Sequence, residues 1–216
     1  MTPAVAGMMG PEIPGFQWVR PLGQGGFADV FLYRQELPSR EVAIKVVRTQ
    51  GDERGTKELH READAMTLLA GHPAVVELHG VGTTADGRAY LVMEYCPVAD
   101  LLTQVRARPM SLAKALDMMI KVCGGVEMFH RQGYVHRDIK PSNIMLDAYG
   151  KPVLADFGVA SKVGQLEVGA FDGFSVLWAP PEQQDGNSPA SPPPGVGALA
   201  APAWTFVTGR RPVEDP

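Results

Sequence analysis

The sequence predicts an α+β fold in which an antiparallel sheet with one helix comes first and a mainly helical part follows. Three observations support this prediction. Short strand-like runs follow one another between residues 16 and 47, an amphipathic helix pattern comes next, and a longer helix pattern begins after residue 111. With 216 residues, the chain can form one large domain or two small lobes with a shared core.

The first half of the sequence reads as a sheet with a single helix. A glycine cluster and the turn QELPS separate the runs FQWVRPL, ADVFLYR and EVAIKVV, which we therefore interpret as an antiparallel meander. Residues 57–70 carry apolar side chains at Ala63, Met66 and Leu69, the period of an amphipathic helix, and GHP ends it. The runs VVELHGV and AYLVMEY then predict a strand pair with TTADG as its turn.

The second half is dominated by one long predicted helix. Ser111 is its expected N-cap and Gly133 its end. Its expected buried side consists of Leu112, Leu116, Met119, Ile120, Val126 and Phe129. Gly124 and Gly125 each cost roughly 1 kcal/mol against alanine within a helix, so we expect close packing there. A short strand, PVLADF, follows, and residues 185–202 are rich in proline and glycine.

Composition excludes several classes of protein. A net charge of -4 gives no support for nucleic acid or a membrane surface as the partner. Cys96 and Cys123 have no metal-site or disulfide spacing, which favours a reduced, cytoplasmic setting. Residues 1–15 lack a basic n-region and predict a flexible leader, not a signal peptide. The late apolar run at 196–207 is too short to span a bilayer.

Two segments of the predicted sheet carry candidate nucleotide-binding residues. The turn LGQGGFADV would let backbone N–H groups approach phosphate oxygens, although such glycine-rich turns are more often mere turn geometry. Lys45 ends the apolar alternation of VAIK, and Glu62 on the following helix could pair with it. Taken alone, each is more often a solvated surface residue.

The loop HRDIKPSN carries the strongest chemical signal. Asp138 can accept a proton from a hydroxyl nucleophile, Lys140 can offset charge on a transferring phosphoryl group, and Asn143 can supply an oxygen ligand to Mg²⁺. Thirteen residues after Asn143, the ADFG motif supplies Asp156 as a second candidate metal ligand. Together these roles describe phosphoryl transfer.

Six motifs in order, GQGGFADV, VAIK, HREA, HRDIKPSN, DFG and APPE, make the chain similar to the catalytic domain of eukaryotic-type serine/threonine protein kinases. The resemblance covers the sequence from about Phe16 onward. It implies the bilobal protein-kinase-like fold, with a leader at 1–15, an N-lobe at 16–95 and a partial C-lobe at 96–216. The C-lobe is expected to be incomplete, because the family's last helices would follow residue 216.

The resemblance also implies site residues, with ATP, Mg²⁺ and proteins bearing serine or threonine as the ligands. The residues implied to bind ATP are Gly23, Gln24, Gly25, Gly26, Val30, Ala43, Lys45, Glu62, Met93, Glu94, Cys96, Asp100 and Met145. Lys45 would hold the α- and β-phosphates, and Asn143 and Asp156 would coordinate Mg²⁺. Asp138 is the implied catalytic base, with Lys140 on the γ-phosphate.

Several positions depart from the family pattern. Ala28 replaces the third motif glycine, Gly195 stands where a helix normally opens with aspartate, and Pro202 lies inside that helix at a cost of ~3 kcal/mol or more. Glu182 would lack its usual arginine partner. Ser175, in contrast, follows the pattern, because it matches the residue that lines the acceptor-peptide pocket. These departures keep open an alternative, a nucleotide-binding pseudokinase or inactive fragment that acts as a scaffold.

Overall fold

The computed structural model of the chain describes residues 8–98, 101–158, 160–164, 178 and 192–212, with the side chains of 192–197 excepted. These residues form two compact units. The first consists of the chain up to Thr67 together with Val76–Cys96, and the second of Leu68–Val75 and the chain from Pro97 onward. The segment Leu68–Val75, which the sequence placed in the first lobe, thus belongs to the second unit.

The first unit is a five-stranded antiparallel sheet with one helix, which confirms the predicted α+β class. Its elements are β1 (Phe16–Gln24), β2 (Ala28–Gln35), β3 (Arg40–Val47), α1 (Glu53–Leu68), β4 (Leu78–Thr83) and β5 (Ala89–Glu94). The strand order is β1-β2-β3-β5-β4, so β3 lies at the centre. Asp52 begins α1, where its carboxylate accepts from the N–H of Gly55 at 2.9 Å.

Both faces of the central strand are covered, because Val42–Val47 are all buried. One face packs in a cluster with Phe31, Tyr33 and Ile44, and we call it the outer face. The opposite face holds Val47 and Lys45, and α1 covers it through Leu59 and neighbouring residues. The run is apolar except for Lys45, which is close to the sequence expected of a strand buried on both sides.

Residues 8–15 of the expected flexible leader pack against the outer face of the sheet. Ile13 is 3% exposed and belongs to the outer cluster, against which Met8 also packs. The hydroxyl of Tyr33 donates to the carbonyl of Pro11 at 2.6 Å, and burial raises the pKa of Tyr33 to about 12. The leader is ordered here because the outer face is apolar and needs a cover.

The second unit is mainly helical with short strand pairs. Its elements are α2 (Leu101–Ala107), α3 (Leu112–Arg131), β6 (Tyr134–Val135), a 3-10 turn (Pro141–Asn143), β7 (Ile144–Leu146), β8 (Pro152–Leu154), β9 (Ser161–Lys162) and α4 (Pro192–Thr208). Strand β6 pairs with β9, and β7 pairs with β8, both antiparallel. None of the helices in the described part of the chain combines the length and hydropathy that a bilayer crossing requires.

Helix α3 begins where the sequence predicted, but only part of the expected buried side is buried. The Ser111 side chain accepts from the N–H of Lys114. Met119, Val126 and Phe129 are buried as expected. Three other residues predicted to be buried are exposed, namely Leu112, Leu116 and Ile120. The apolar residues of α3 cover a wide arc of the helix surface. The three exposed residues lie along one edge of that arc, and the described residues that pack on α3 cover the other edge.

The two glycines inside α3 permit a close approach of the Leu68–Val75 segment. A Cβ built on Gly125 would lie 3.3 Å from the carbonyl oxygen of Ala74 and 3.3 Å from a methyl group of Val75. The same Ala74 carbonyl accepts from the N–H of Leu154 at 2.9 Å. The close packing expected at this position is therefore present, and it joins α3 to β8.

Helix α4 continues through Pro202, which is buried. We expected this proline to damage the helix. Proline removes one backbone hydrogen bond, but the helix persists because Phe206 and Ala198 on either side are buried and packing compensates. The departure at Gly195 concerns side chains of α4 that lie outside the described residues.

Candidate active site

In the first unit, Lys45 and Glu62 form a buried ion pair. The Nζ atom of Lys45 lies 2.7 Å from Oε2 of Glu62, and the two side chains are 11% and 1% exposed. Lys45 comes from the central strand and Glu62 from the face of α1 that packs on the sheet. A buried charge is stable only when paired, so each residue fixes the other, and removing one partner of such a pair costs about 3–5 kcal/mol.

Register places further predicted residues on the same face as Lys45. Val30 is the cross-strand partner of Lys45, and Met93 is the partner of Ala43. Because side chains alternate along a strand, Ala43 and Lys45 share one face. The structure therefore brings Val30, Ala43, Lys45 and Met93 together on one side of the sheet. The ring of Phe27, from the glycine-rich turn, has its centroid 5.4 Å from Lys45 Nζ.

The glycine-rich turn joins β1 to β2, with Gly23 and Gln24 at the end of β1. The N–H of Gly25 donates to the carbonyl of Ala28 at 2.8 Å and closes the turn. A Cβ on Gly25 would lie 2.9 Å from that carbonyl oxygen, so only glycine fits there. Ala28, in place of the third motif glycine, is accommodated because its methyl group is buried.

The segment after β5 carries the residues expected at the adenine edge. The N–H of Glu94 donates to the carbonyl of Glu77 at 2.9 Å. Cys96 is buried, and its thiol is not in a disulfide. Asp100, expected at the ribose, lies outside the described residues.

In the second unit, the loop after β6 gathers three predicted catalytic side chains. Oδ2 of Asp138 accepts from Lys140 Nζ at 2.6 Å and from Asn143 Nδ2 at 2.9 Å. Asn143 Nδ2 also donates to the Asp138 carbonyl. The buried side chains of Ile139 and Ile144 anchor the loop from either side. The 3-10 turn that starts at Pro141 directs Asn143 back toward Asp138.

Sequence reasoning missed His136 as a positioning residue of this loop. The N–H of Asp138 donates to Nδ1 of His136 at 3.3 Å, so in the neutral ring the proton is on Nε2, which faces the carbonyl of Ala155 at 3.3 Å. Burial lowers the pKa of His136, against the opposing effect of the Asp138 and Asp156 carboxylates. The signal was a histidine between apolar Val135 and the candidate base.

The backbone is unusual at two positions, one in the DFG segment and one beside the candidate base. Asp156 has φ of 63° and Arg137 has φ of 68°, a region that non-glycine residues rarely adopt. Phe157 is buried against His136, with ring centroids 4.8 Å apart, and against Phe129 at 5.5 Å. This packing holds the strained Asp156, as expected where strain serves a site.

The remaining predicted positions of the second unit are less informative. Met145 lies in β7 opposite Val153 of β8. Ser161, which belongs to none of the predicted motifs, lies in β9; its hydroxyl is buried and has no hydrogen-bond partner among the described residues, so it is not accessible to a modifying enzyme. Ser175 and Glu182, with the APPE motif at 179–182, lie outside the described residues.

A five-stranded antiparallel sheet with one helix, followed by a mainly helical unit, is the architecture of the protein kinase class. A profile described as "Protein kinase domain" matches residues 16–215, and the chain belongs to this family. The chain is 38% identical over 208 residues to the serine/threonine-protein kinase PknK of Mycobacterium tuberculosis strain ATCC 25618 / H37Rv, covering 92% of this chain and 19% of that protein. It is 32% identical over 213 residues to the serine/threonine-protein kinase PrkC of Bacillus subtilis strain 168, covering 96% and 32%. The chain thus spans a third or less of the length of these curated relatives.

Proposed function

We propose that the chain transfers the γ-phosphoryl group of ATP to serine or threonine hydroxyls of proteins. The observation that carries this proposal is the loop in which one carboxylate, of Asp138, is held by Lys140 and Asn143. The family and the printed names of its relatives support the same reaction. A lysine two residues after the proposed base, as at Lys140, is typical of serine/threonine kinases and therefore favours serine and threonine as the acceptors.

The residues of the first unit would bind and orient ATP. Lys45 would hold the α- and β-phosphates, and its ion pair with Glu62 fixes its Nζ atom at one place. Val30, Ala43 and Met93 present an apolar surface suited to an adenine ring. The N–H of Glu94 donates to the carbonyl of Glu77. The hydrogen bond that we propose between Glu94 and the adenine edge is therefore assigned to the Glu94 carbonyl, and the backbone of Cys96 would make the second hydrogen bond to adenine.

Two residues of the second unit fit Mg²⁺. Asn143 uses its Nδ2 atom on Asp138, which leaves its amide oxygen as the end suited to a hard cation. Asp156 supplies a carboxylate, so the pair offers the oxygen ligands that Mg²⁺ prefers. When bound, Mg²⁺ neutralises phosphate charge and orients the phosphates for displacement.

Asp138 and Lys140 would act at the reacting atoms. The Asp138 carboxylate accepts a hydrogen bond from the substrate hydroxyl, orients its oxygen toward phosphorus and receives its proton. Lys140, already 2.6 Å from that carboxylate, offsets the negative charge on the transferred phosphoryl group. Met145 would contact the adenine and Asp100 the ribose. Neither Cys96 nor Cys123 is in a disulfide with a described residue, which supports a cytoplasmic setting for this chemistry.

The test is a phosphoryl-transfer assay with a matched pair of variants. We expect the chain to transfer γ-phosphate from Mg-ATP to a basic protein rich in serine, and Asp138→Asn to lower kcat by at least about a hundredfold. The matched control is Asp117→Asn, which makes the same chemical change at an exposed carboxylate on α3 that pairs with Lys121. This variant should leave kcat unchanged. Thermal stabilisation by Mg-ATP without any turnover would instead support the pseudokinase alternative.

A further inference from the structure

Arg48, just beyond β3, holds a buried carboxylate of the neighbouring strand. Its Nη2 atom lies 2.8 Å from Oδ1 of Asp29, and its Nε lies 3.2 Å from Oδ2. Asp29 is 5% exposed. A two-point contact between a planar guanidinium and a carboxylate fixes the direction of both groups, whereas an ammonium group makes a single point contact. Asp29 therefore sets where the guanidinium of Arg48 points.

The same arginine also holds the backbone of the glycine-rich turn. Nη2 donates to the carbonyl of Gly25 at 2.5 Å, and Nη1 makes a longer contact of 3.5 Å to the carbonyl of Gly26. The backbone N–H of Arg48 donates to the carbonyl of Phe27 at 2.8 Å. Three successive carbonyls of the turn thus accept from one residue.

This arrangement fixes which way the amides of the turn face. The peptides after Gly25 and Gly26 are trans, and in a planar trans peptide the C=O and the N–H point in opposite directions. Carbonyls drawn toward Arg48 therefore leave the N–H groups of Gly26 and Phe27 facing away from it. A cation on the carbonyl side also polarises each peptide, which makes its N–H a stronger donor.

We infer that Arg48 is a positioning residue of the glycine-rich turn, oriented by Asp29, that aligns the Gly26 and Phe27 amides for the phosphates of ATP. This inference rests on the proposed function. Arg48 acts through the turn and does not itself touch the nucleotide. Its loss should therefore weaken binding of the phosphates and leave binding of the nucleoside part unchanged.

Calorimetry with two ligands tests this role. We expect Arg48→Met to weaken binding of Mg-ADP by about five- to tenfold, the effect of losing charge-assisted hydrogen bonds at a partly exposed site, with adenosine affinity unchanged. In the kinase assay, KM for ATP should rise by the same factor while kcat changes less than twofold. Arg54→Met is the matched control, because Arg54 is an exposed arginine of the same unit that pairs with Glu58. It should change neither affinity.

Further outcomes separate this role from the alternatives. Arg48→Lys keeps the charge but cannot make the two-point contact of a guanidinium, so we expect the affinity for Mg-ADP to fall roughly threefold. This variant replaces Arg48→Met in the test if Arg48→Met does not fold. Equal affinity of wild type and both Arg48 variants for Mg-ADP would overturn the inference alone. Equal loss of adenosine and Mg-ADP would also overturn it, since it would show a general structural role. A wild-type chain that binds neither ligand would overturn the proposed function as well.

Discussion

The two adjacent glycines of α3 should respond oppositely to the same substitution. Gly124→Ala places a methyl group 3.6 Å from the His72 ring, an ordinary contact, and gains helix propensity. We expect the free energy of unfolding to rise by about 0.8–1.0 kcal/mol. For a chain of this size that corresponds to roughly 2–4 °C in Tm.

Gly125→Ala gains the same propensity but meets two neighbours at 3.3 Å, the Ala74 carbonyl and a Val75 methyl group. The carbonyl cannot easily move, because it accepts from Leu154 at 2.9 Å. Overpacking of this kind costs about 1–3 kcal/mol, so the net change should be a loss of roughly 1 kcal/mol. The two variants should then differ by about 2 kcal/mol.

Urea unfolding of the two variants and wild type, followed by circular dichroism, measures this difference directly. The reasoning fails if Gly125→Ala is as stable as Gly124→Ala, since the approach of the Leu68–Val75 segment would then not constrain α3. It also fails if Gly124→Ala destabilises the protein.

Three further predictions concern single side chains. Glu62→Gln keeps the shape but removes the charge that holds Lys45, so kcat/KM for ATP should fall by at least about tenfold at temperatures where the variant is still folded, and the free energy of unfolding should fall by about 3–5 kcal/mol. An unchanged kcat/KM would contradict the positioning role. Because the folded pKa of His136 is lowered, the unfolded chain binds more protons, so stability is present above pH 6.5 and is lost as pH falls below it. His79 and His130, whose pKa values burial also lowers, contribute in the same direction. His136→Gln should therefore reduce, without abolishing, the slope of unfolding free energy between pH 7.5 and 5.5, and an identical slope would argue against it. Ser161→Ala removes a buried hydroxyl that has no partner among the described residues, so stability in urea should be unchanged or higher by up to about 1 kcal/mol, and a loss would reveal an interaction.

Local chemistry made much of this protein predictable. Ser111 is the N-cap of α3 because a hydroxyl before an apolar period satisfies a free amide, and the run EVAIKVV correctly predicted a strand, which lies at the centre of the sheet. The loop from Asp138 to Asn143 was predictable in composition, because each side chain has a distinct chemical use. Its internal hydrogen bonds follow from the short spacing.

Features that depend on distant neighbours were not predictable. The apolar residues of α3 cover a wide arc, and sequence alone does not tell that Val126 is covered while Leu116 and Ile120 are exposed. The position of His136 beside the candidate base was a signal, but its partner could not be predicted, because Ala155 follows nineteen residues later in the chain. Pro202 counts against a helix locally, and only packing keeps it helical.

The ordered start of the chain matters for the design of expression clones. The family match begins at residue 16, which invites a clone that starts there. Such a clone would strip Ile13 from the outer cluster and leave the Tyr33 hydroxyl without the Pro11 carbonyl. Burial of one isoleucine side chain contributes about 1.5–3 kcal/mol to the free energy of unfolding. The shortened protein would therefore be less stable, which would lower its yield and its lifetime in storage. A start codon at or before Met8 retains the cover.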